Sequence, residues 1–186
     1  MRRITAAGLL ALCACAPAAT AGGAAGGAGE PMPTQVIATG DGMHVITTAE
    51  TRMLTHDISA PVDRVWQVLP EVYRELELEG TASAATRTVS SPSLSFTRRI
   101  LGEPATRFFD CGRGEFGMEI ANTHTIHLTA RTTVQPGATP AGSRLETTIQ
   151  AFARSNTGAN ASMSQCRSTG VLEGLIALRV RERLAG

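Results

Sequence analysis

The stretch Asp57–Leu76, DISAPVDRVWQVLPEVYREL, decides how this chain folds. Ile58 closes the segment Thr51–Ile58, in which Leu54, His56 and Ile58 fall on one side, the alternation of a strand. Ser59 is a residue type that caps helices, and Pro61 fits a first helical turn, where a missing N–H costs nothing. Val62, Val65, Trp66 and Leu69 then recur at helical spacing. Pro70 is expected to end that helix and to open a second short one, with Val72, Tyr73 and Leu76 as its apolar side.

Upstream of this stretch, Thr34–Thr39 and Met43–Thr48 flank Gly40-Asp41-Gly42, a hairpin signal. Downstream, Ser83–Ser90 reads as a strand and Ser91-Pro92 as a turn. Leu94, Phe96 and Ile100 are expected to share a strand face with Arg98. Gly102-Glu103-Pro104 turns again, and Arg107–Gly117, with its three glycines around Cys111, reads mainly as loop. Met118–Val134 carries an apolar side on even positions (Met118, Ile120, Ile126, Leu128, Ala130, Val134) that also includes Asn122 and His124. Ser143–Arg154 alternates in the same way, with Phe152 the one large apolar residue on its wet side. Two such long neighbours predict an antiparallel pair. Ser168 or Thr169 is expected to cap a last helix that runs to about Leu184, with Val171, Leu172, Leu175, Ile176 and Leu178 on one broad face.

The resulting order is strand, helices, antiparallel strands and one long C-terminal helix. Ile58-Ser59-Ala60-Pro61-Val62-Asp63-Arg64-Val65-Trp66 resembles the I-x-A-P-x-x-x-V-W opening of the START-like (SRPBCC, polyketide-cyclase-like) superfamily. The element order extends that resemblance over about Thr51–Leu184. The resemblance implies an α+β helix-grip fold, an antiparallel sheet wrapped around the C-terminal helix, with a cavity that often holds an apolar ligand. It separates lipid carriers, hormone receptors and cyclases poorly. The chain departs from the family pattern in its additional N-terminal hairpin, its cysteine pair and its few aromatics.

The N-terminus carries different chemistry. Met1–Ala14 has a charged start, Arg2-Arg3, followed by mostly small or apolar residues, as a signal peptide does. Leu12-Cys13-Ala14-Cys15 resembles a bacterial lipoprotein box, which implies a diacylglyceryl group on Cys15 and anchoring to a membrane leaflet. Cleavage after Ala19-Thr20-Ala21 is the other route and would give a free periplasmic or secreted protein. Residues 15–31 are nearly all Ala, Gly, Pro and Thr and are expected to be a tether. Residues 32–186 are then one domain. Once Cys13 leaves with the signal and Cys15 takes the lipid, Cys111 and Cys166 remain, and in an oxidising compartment such a pair is expected to bond. Closing a loop of that length is worth about 4 kcal/mol on the chain-entropy estimate. A metal or redox pair is the rival reading, but there is no C-x-x-C.

Formal charge over the full chain is +1, and removal of the signal takes it to about −1, which argues against nucleic acid as a partner. The sequence contains no Lys, which excludes Schiff-base chemistry and the phosphate-loop lysine. No motif calls for a metal or other cofactor: His124 and His127, three apart on a predicted strand, face opposite ways, and His44 and His56 stand alone. Arg98, Asn122 and His124 are the candidate ligand-binding set, three polar residues on otherwise apolar strand faces. The alternative is that they lie at strand ends or bulges and reach water. Two functions fit best. The first is a non-enzymatic, lipid-anchored module that binds an apolar small molecule or lipid. The second is an envelope structural or protein-interaction module with a filled core. A cyclase-like enzyme ranks third. An enclosed void of several hundred cubic ångströms separates the first from the second.

Overall fold

The computed structural model describes the strand backbones of residues 34–39 and 42–47, and residues 51–114, 116–155 and 163–186. The expected signal Met1–Ala14, Cys15 and the tether to residue 31 lie outside the described residues. Strands β1 (Thr34–Thr39) and β2 (Gly42–Thr47) pair antiparallel with Thr34 opposite Thr47, the hairpin that the Gly-Asp-Gly turn predicts.

The rest is α+β. An eight-stranded sheet is organised around two twelve-residue strands, β10 (Thr125–Pro136) and β11 (Ser143–Arg154), paired antiparallel along their whole length. Their sequences alternate, so one face is buried and the other wet. Ile126, Leu128, Ala130, Thr132 and Val134 of β10 face inward with Ser143, Leu145, Thr147, Ile149, Ala151 and Ala153 of β11. The outer edge of β11 pairs with β3 (Met53–Ile58) and with β12 (Met163–Ser168). The outer edge of β10 pairs with β5 (Thr88–Ser90) and β6 (Leu94–Thr97). Ser90 lies opposite Arg131 and Leu94 opposite Leu128, so four steps of one strand match three of the other. That extra residue is a bulge. It is pinned by Ser91, whose N–H donates to the Ala130 carbonyl and whose hydroxyl donates to the Leu78 carbonyl. Strand β4 (Thr81–Ser83) pairs with β5, so the segment read as one strand from Ser83 is a hairpin.

Two helices cover the buried face. Helix α1 (Val62–Glu75) buries Val65, Leu69, Val72 and Tyr73. Helix α3 (Val171–Ala185) buries Leu172, Glu173, Ile176, Ala177 and Val180. They pack on each other and on the sheet, and Arg183 near the end of α3 pairs with Glu71 and Glu75 near the end of α1. Tyr73 anchors α1 to the sheet by donating to Thr132 Oγ1 at 2.7 Å; Thr132 in turn lies 2.9 Å from Thr147 Oγ1 on the neighbouring strand. The whole hydroxyl chain is buried, and each member has a partner, as burial requires.

Several expectations change. Pro70 neither ends α1 nor opens a second helix; it lies inside one fourteen-residue helix. A proline there costs about 3 kcal/mol, but Val72 and Tyr73 continue the buried stripe beyond it, and each buried side chain is worth about 1.5–3 kcal/mol. Ser59 makes no cap; Pro61 itself is the N-cap residue, and its carbonyl accepts the first bonds, from the N–H groups of Arg64 and Val65. At α3 the N-cap residue is Gly170, at φ 87°, a conformation that glycine adopts freely. A Cβ there would meet Leu54 at 3.1 Å, so this glycine lets the helix start close to β3, whereas a Cβ on Gly174 would meet nothing. Ser168 accepts from the Gly170 N–H and donates to Glu173, whose buried carboxylate sits in the first turn, where the helix dipole favours it.

The expected strand from Met118 does not start there. Residues Ile120–Thr123 form a short helix, α2, and β10 begins at Thr125. Nor is Leu94–Ile100 one strand. Strand β6 stops at Thr97, Arg98 takes φ 65°, and a small hairpin follows, β7 (Arg99–Ile100) and β8 (Glu103–Pro104). A single 3₁₀ turn, Ala105–Arg107, leads into β9 (Phe109–Asp110), which pairs with β12. That register sets Asp110 opposite Arg167 and Phe109 opposite Ser168. One step further along the ladder puts Cys111 opposite Cys166, and the two form the expected disulfide.

Candidate functional site

The space between the sheet and the two helices is filled. Leu69, Tyr73, Leu78, Ile100, Phe108, Phe109, Ile126, Leu128, Leu145, Leu172 and Ile176 are all almost wholly buried there in one cluster. Two concavities among the described residues lie at the margins of the structure and open to solvent.

One is a cleft of about 390 Å³ where the end of α1, the β7–β8 hairpin, the 3₁₀ turn and the middle of α3 meet. Helix α1 ends at Leu76, whose N–H donates to the Val72 carbonyl; Glu77 then takes φ 54° and Leu78 turns back to donate to Tyr73. This reversal leaves Glu75, Leu76 and Glu77 on the cleft wall. In the hairpin, Leu101 and Gly102 form the loop, with φ 53° and 78°. Arg99 ties it by donating to the Gly102 carbonyl at 2.8 Å. The Arg98 carbonyl accepts from the Ala105 N–H at 2.8 Å and so holds the hairpin against the 3₁₀ turn. Leu76 and Phe108, both buried, line the cleft with the half-buried Leu101 and Leu175. Its rim is charged. Arg107 pairs with Glu103 at 3.2 Å, and Arg179 with Glu75 at 3.6 Å and Glu182 at 2.7 Å. Hydrogen bonding to Glu182 and its charge raise the Arg179 guanidinium above its already high range.

The second concavity, about 470 Å³, lies beside the disulfide and is lined by Thr106, Phe109, Asp110, Arg113 and Glu119. Arg113 and Glu119 neutralise each other at 3.0 Å, and Asp110 accepts from the Gly112 N–H. Phe109 is its one apolar wall residue, so an apolar ligand finds little contact there. No three His, Cys, Asp or Glu side chains converge as a metal site needs, among the described residues.

The residues expected to bind a ligand do not share a strand face. Arg98 is exposed at the break between β6 and β7, and Asn122 is exposed on α2. His124 is half-buried at the C-cap of α2, with Nδ1 2.8 Å from Thr123 Oγ1. The premise of the set was an unbroken strand through each position. The turn at Arg98 and the helix at Ile120 remove it. Both segments do approach the 3₁₀ turn, Arg98 through its carbonyl and α2 by packing on it. The cleft residues escaped the sequence reading because they come from four segments between Glu75 and Arg179. The one local signal was Leu101-Gly102 ahead of Glu103-Pro104, where an apolar residue occupies a tight turn. Comparison with protein-family models, with curated proteins and with solved structures finds no match to this chain.

Proposed function

We propose that residues 32–186 are a START-like, helix-grip binding module without enzymatic activity, exported and anchored to a bacterial membrane through a lipid on Cys15. In this reading it takes a small molecule with an apolar body in the cleft between α1, the β7–β8 hairpin and α3, not in a chamber under the sheet. The observation that carries the reading is the cleft itself. It has four apolar side chains on its walls, a charged rim, and a volume in the range of small-molecule sites. The described residues that face α3 from the sheet are almost wholly buried in the core cluster. The order of elements around the Ile58–Trp66 opening and the disulfide, which suits an oxidising compartment, support the family and the export route.

The test is native mass spectrometry of the full chain purified from membranes, before and after organic extraction. A retained adduct that extraction removes, and that a Leu175→Asp variant no longer carries, supports the reading. Absence of any adduct, together with absence of binding to added apolar probes, refutes it. Cys15→Ser should move the protein from the membrane to the soluble fraction; unchanged membrane association would refute the anchor.

One observation favours the second reading, an envelope interaction module without a ligand. Phe116 and Met118, 85% and 55% exposed, stand at the loop that the disulfide anchors. Replacing both by Ser and retaining every interaction of the protein in its native membrane would count against that reading.

A further inference from the structure

The walls of the cleft are neutralised unevenly. Both of its arginines are engaged: Arg107 by Glu103, Arg179 by Glu75 and Glu182. Glu77, on the same wall, has no ion-pair or hydrogen-bond partner for its carboxylate among the described residues. A ligand carboxylate or phosphate entering here would meet two arginines already paired and one uncompensated negative charge. A cation would meet that charge directly while its apolar part covered Leu76, Leu101, Phe108 and Leu175.

Backbone conformation marks the same place. Five described non-glycine residues have positive φ, and four of them, Glu77, Glu79, Arg98 and Leu101, lie in the two segments that border this cleft. Such conformations are disfavoured for side-chain-bearing residues and gather where function holds them. Leu101 is the plainest case. With Gly102 it forms a two-residue hairpin loop in which both residues have φ above zero, the pattern of a type I′ turn. That turn favours Asn, Asp or Gly at the position Leu101 occupies. The turn alone therefore does not account for a leucine here; its side chain packs on the hydrophobic core and lines the cleft wall.

We propose that the cleft selects small amphipathic cations, an apolar body bearing one ammonium, with Glu77 as the charge-selecting residue and Leu101 as the apolar contact kept in place against the preference of its turn. The proposal rests on the reading of this cleft as the binding site.

Three probes with the same phenylbutyl body test it: 4-phenylbutylamine, 4-phenylbutanol and 5-phenylvalerate, titrated into the full chain with methyl chemical shifts of Leu76, Leu101 and Leu175 as the readout. The amine should bind tighter than the alcohol by roughly fivefold, the size of an exposed ion pair, and the carboxylate should bind weakest. Glu77→Gln should abolish the preference for the amine and leave the alcohol unchanged. Leu101→Asn should keep or raise the thermal midpoint, since it suits the turn, yet weaken amine and alcohol alike by roughly tenfold through lost apolar contact. Equal binding of amine and alcohol, or a preference that survives Glu77→Gln, overturns the cation selectivity while the binding reading stands. Wild-type affinity in Leu101→Asn overturns the role of Leu101. If no probe moves the cleft methyls, the binding reading itself fails. Leu101→Ala, whose smaller side chain should weaken binding by less, provides the comparison should Leu101→Asn lower the midpoint.

Discussion

The chain has one tyrosine, and it sits where it can report on the core. Tyr73 is fully buried beneath α1 and bonded to Thr132. Burial pushes its phenol far above the ordinary value of about 10; the bond to Thr132 works weakly in the opposite direction. Raising the pH is the perturbation. Below pH 10 the phenol is protonated in both the folded and the unfolded chain, and its contribution to stability is fully present. Above pH 10 the unfolded chain loses the proton and the folded chain keeps it, so stability falls as pH rises. The slope is about 1.4 kcal/mol per pH unit, which makes about 2 kcal/mol by pH 11.5. That is a sizeable part of the 5–15 kcal/mol that holds a typical domain. The assay is the tyrosinate absorbance recorded together with far-ultraviolet circular dichroism over an alkaline titration. Both should change in one cooperative step. Tyr73→Phe should cost about 1 kcal/mol at neutral pH, because Thr132 keeps Thr147 as a partner, and should flatten the alkaline slope. Tyrosinate forming near pH 10 while the dichroism stays native would refute the argument. It would mean that water reaches the ring and that α1 is not seated on Thr132.

Four further outcomes follow from the packing. Replacing Cys111 and Cys166 together by Ser should lower stability in denaturant titrations by up to about 4 kcal/mol, the chain-entropy value for a separation of 55 residues; thiol reductant should then no longer shift the midpoint. Gly80→Ala should cost about 1–3 kcal/mol by thermal melting, because its Cβ would stand 2.7 Å from the buried Val89 and 3.0 Å from Tyr73. Ile176→Ala, at a fully buried position of α3, should cost about 2–5 kcal/mol. Arg183→Ala breaks two half-exposed ion pairs to α1 and should cost less than about 1 kcal/mol, vanishing in high salt; similar losses for the two would show that the helix layer is held by its charges and not by its buried face.

Where a long run obeyed one period, the sequence was a sufficient guide. Ile126 to Val134 and Leu145 to Ala153 alternate, with Thr132 and Thr147 the polar residues on the inward side, and they are the two central strands. The apolar run from Val62 to Leu69 and that from Val171 to Ile176 fall in the two helices, although Leu178, expected on the same face, is 45% exposed. Reading failed where a tertiary contact overruled a local rule. Pro70 stays helical because Tyr73 beyond it reaches Thr132, fifty-nine residues away. It failed again where the period was interrupted over only a few residues. The turn at Arg98 and the single helical turn at Ile120 each hide inside an alternation that looks continuous, and both disperse the polar set drawn from it. The cysteines were legible because little else could be done with them. The cleft was not, since no pattern along the chain links Leu76, Leu101 and Leu175.

The bridge between Cys111 and Cys166 closes a covalent ring around α2, β10 and β11. The exposed bend at residues 138–141, between the two longest strands, lies within that ring. A protease that cuts there once releases no fragment: the two halves remain a single molecule, joined through sulfur and still laddered along β10 and β11. In a compartment rich in proteases the domain can thus be nicked at this exposed bend and stay assembled, and the scission becomes visible only when a thiol opens the ring.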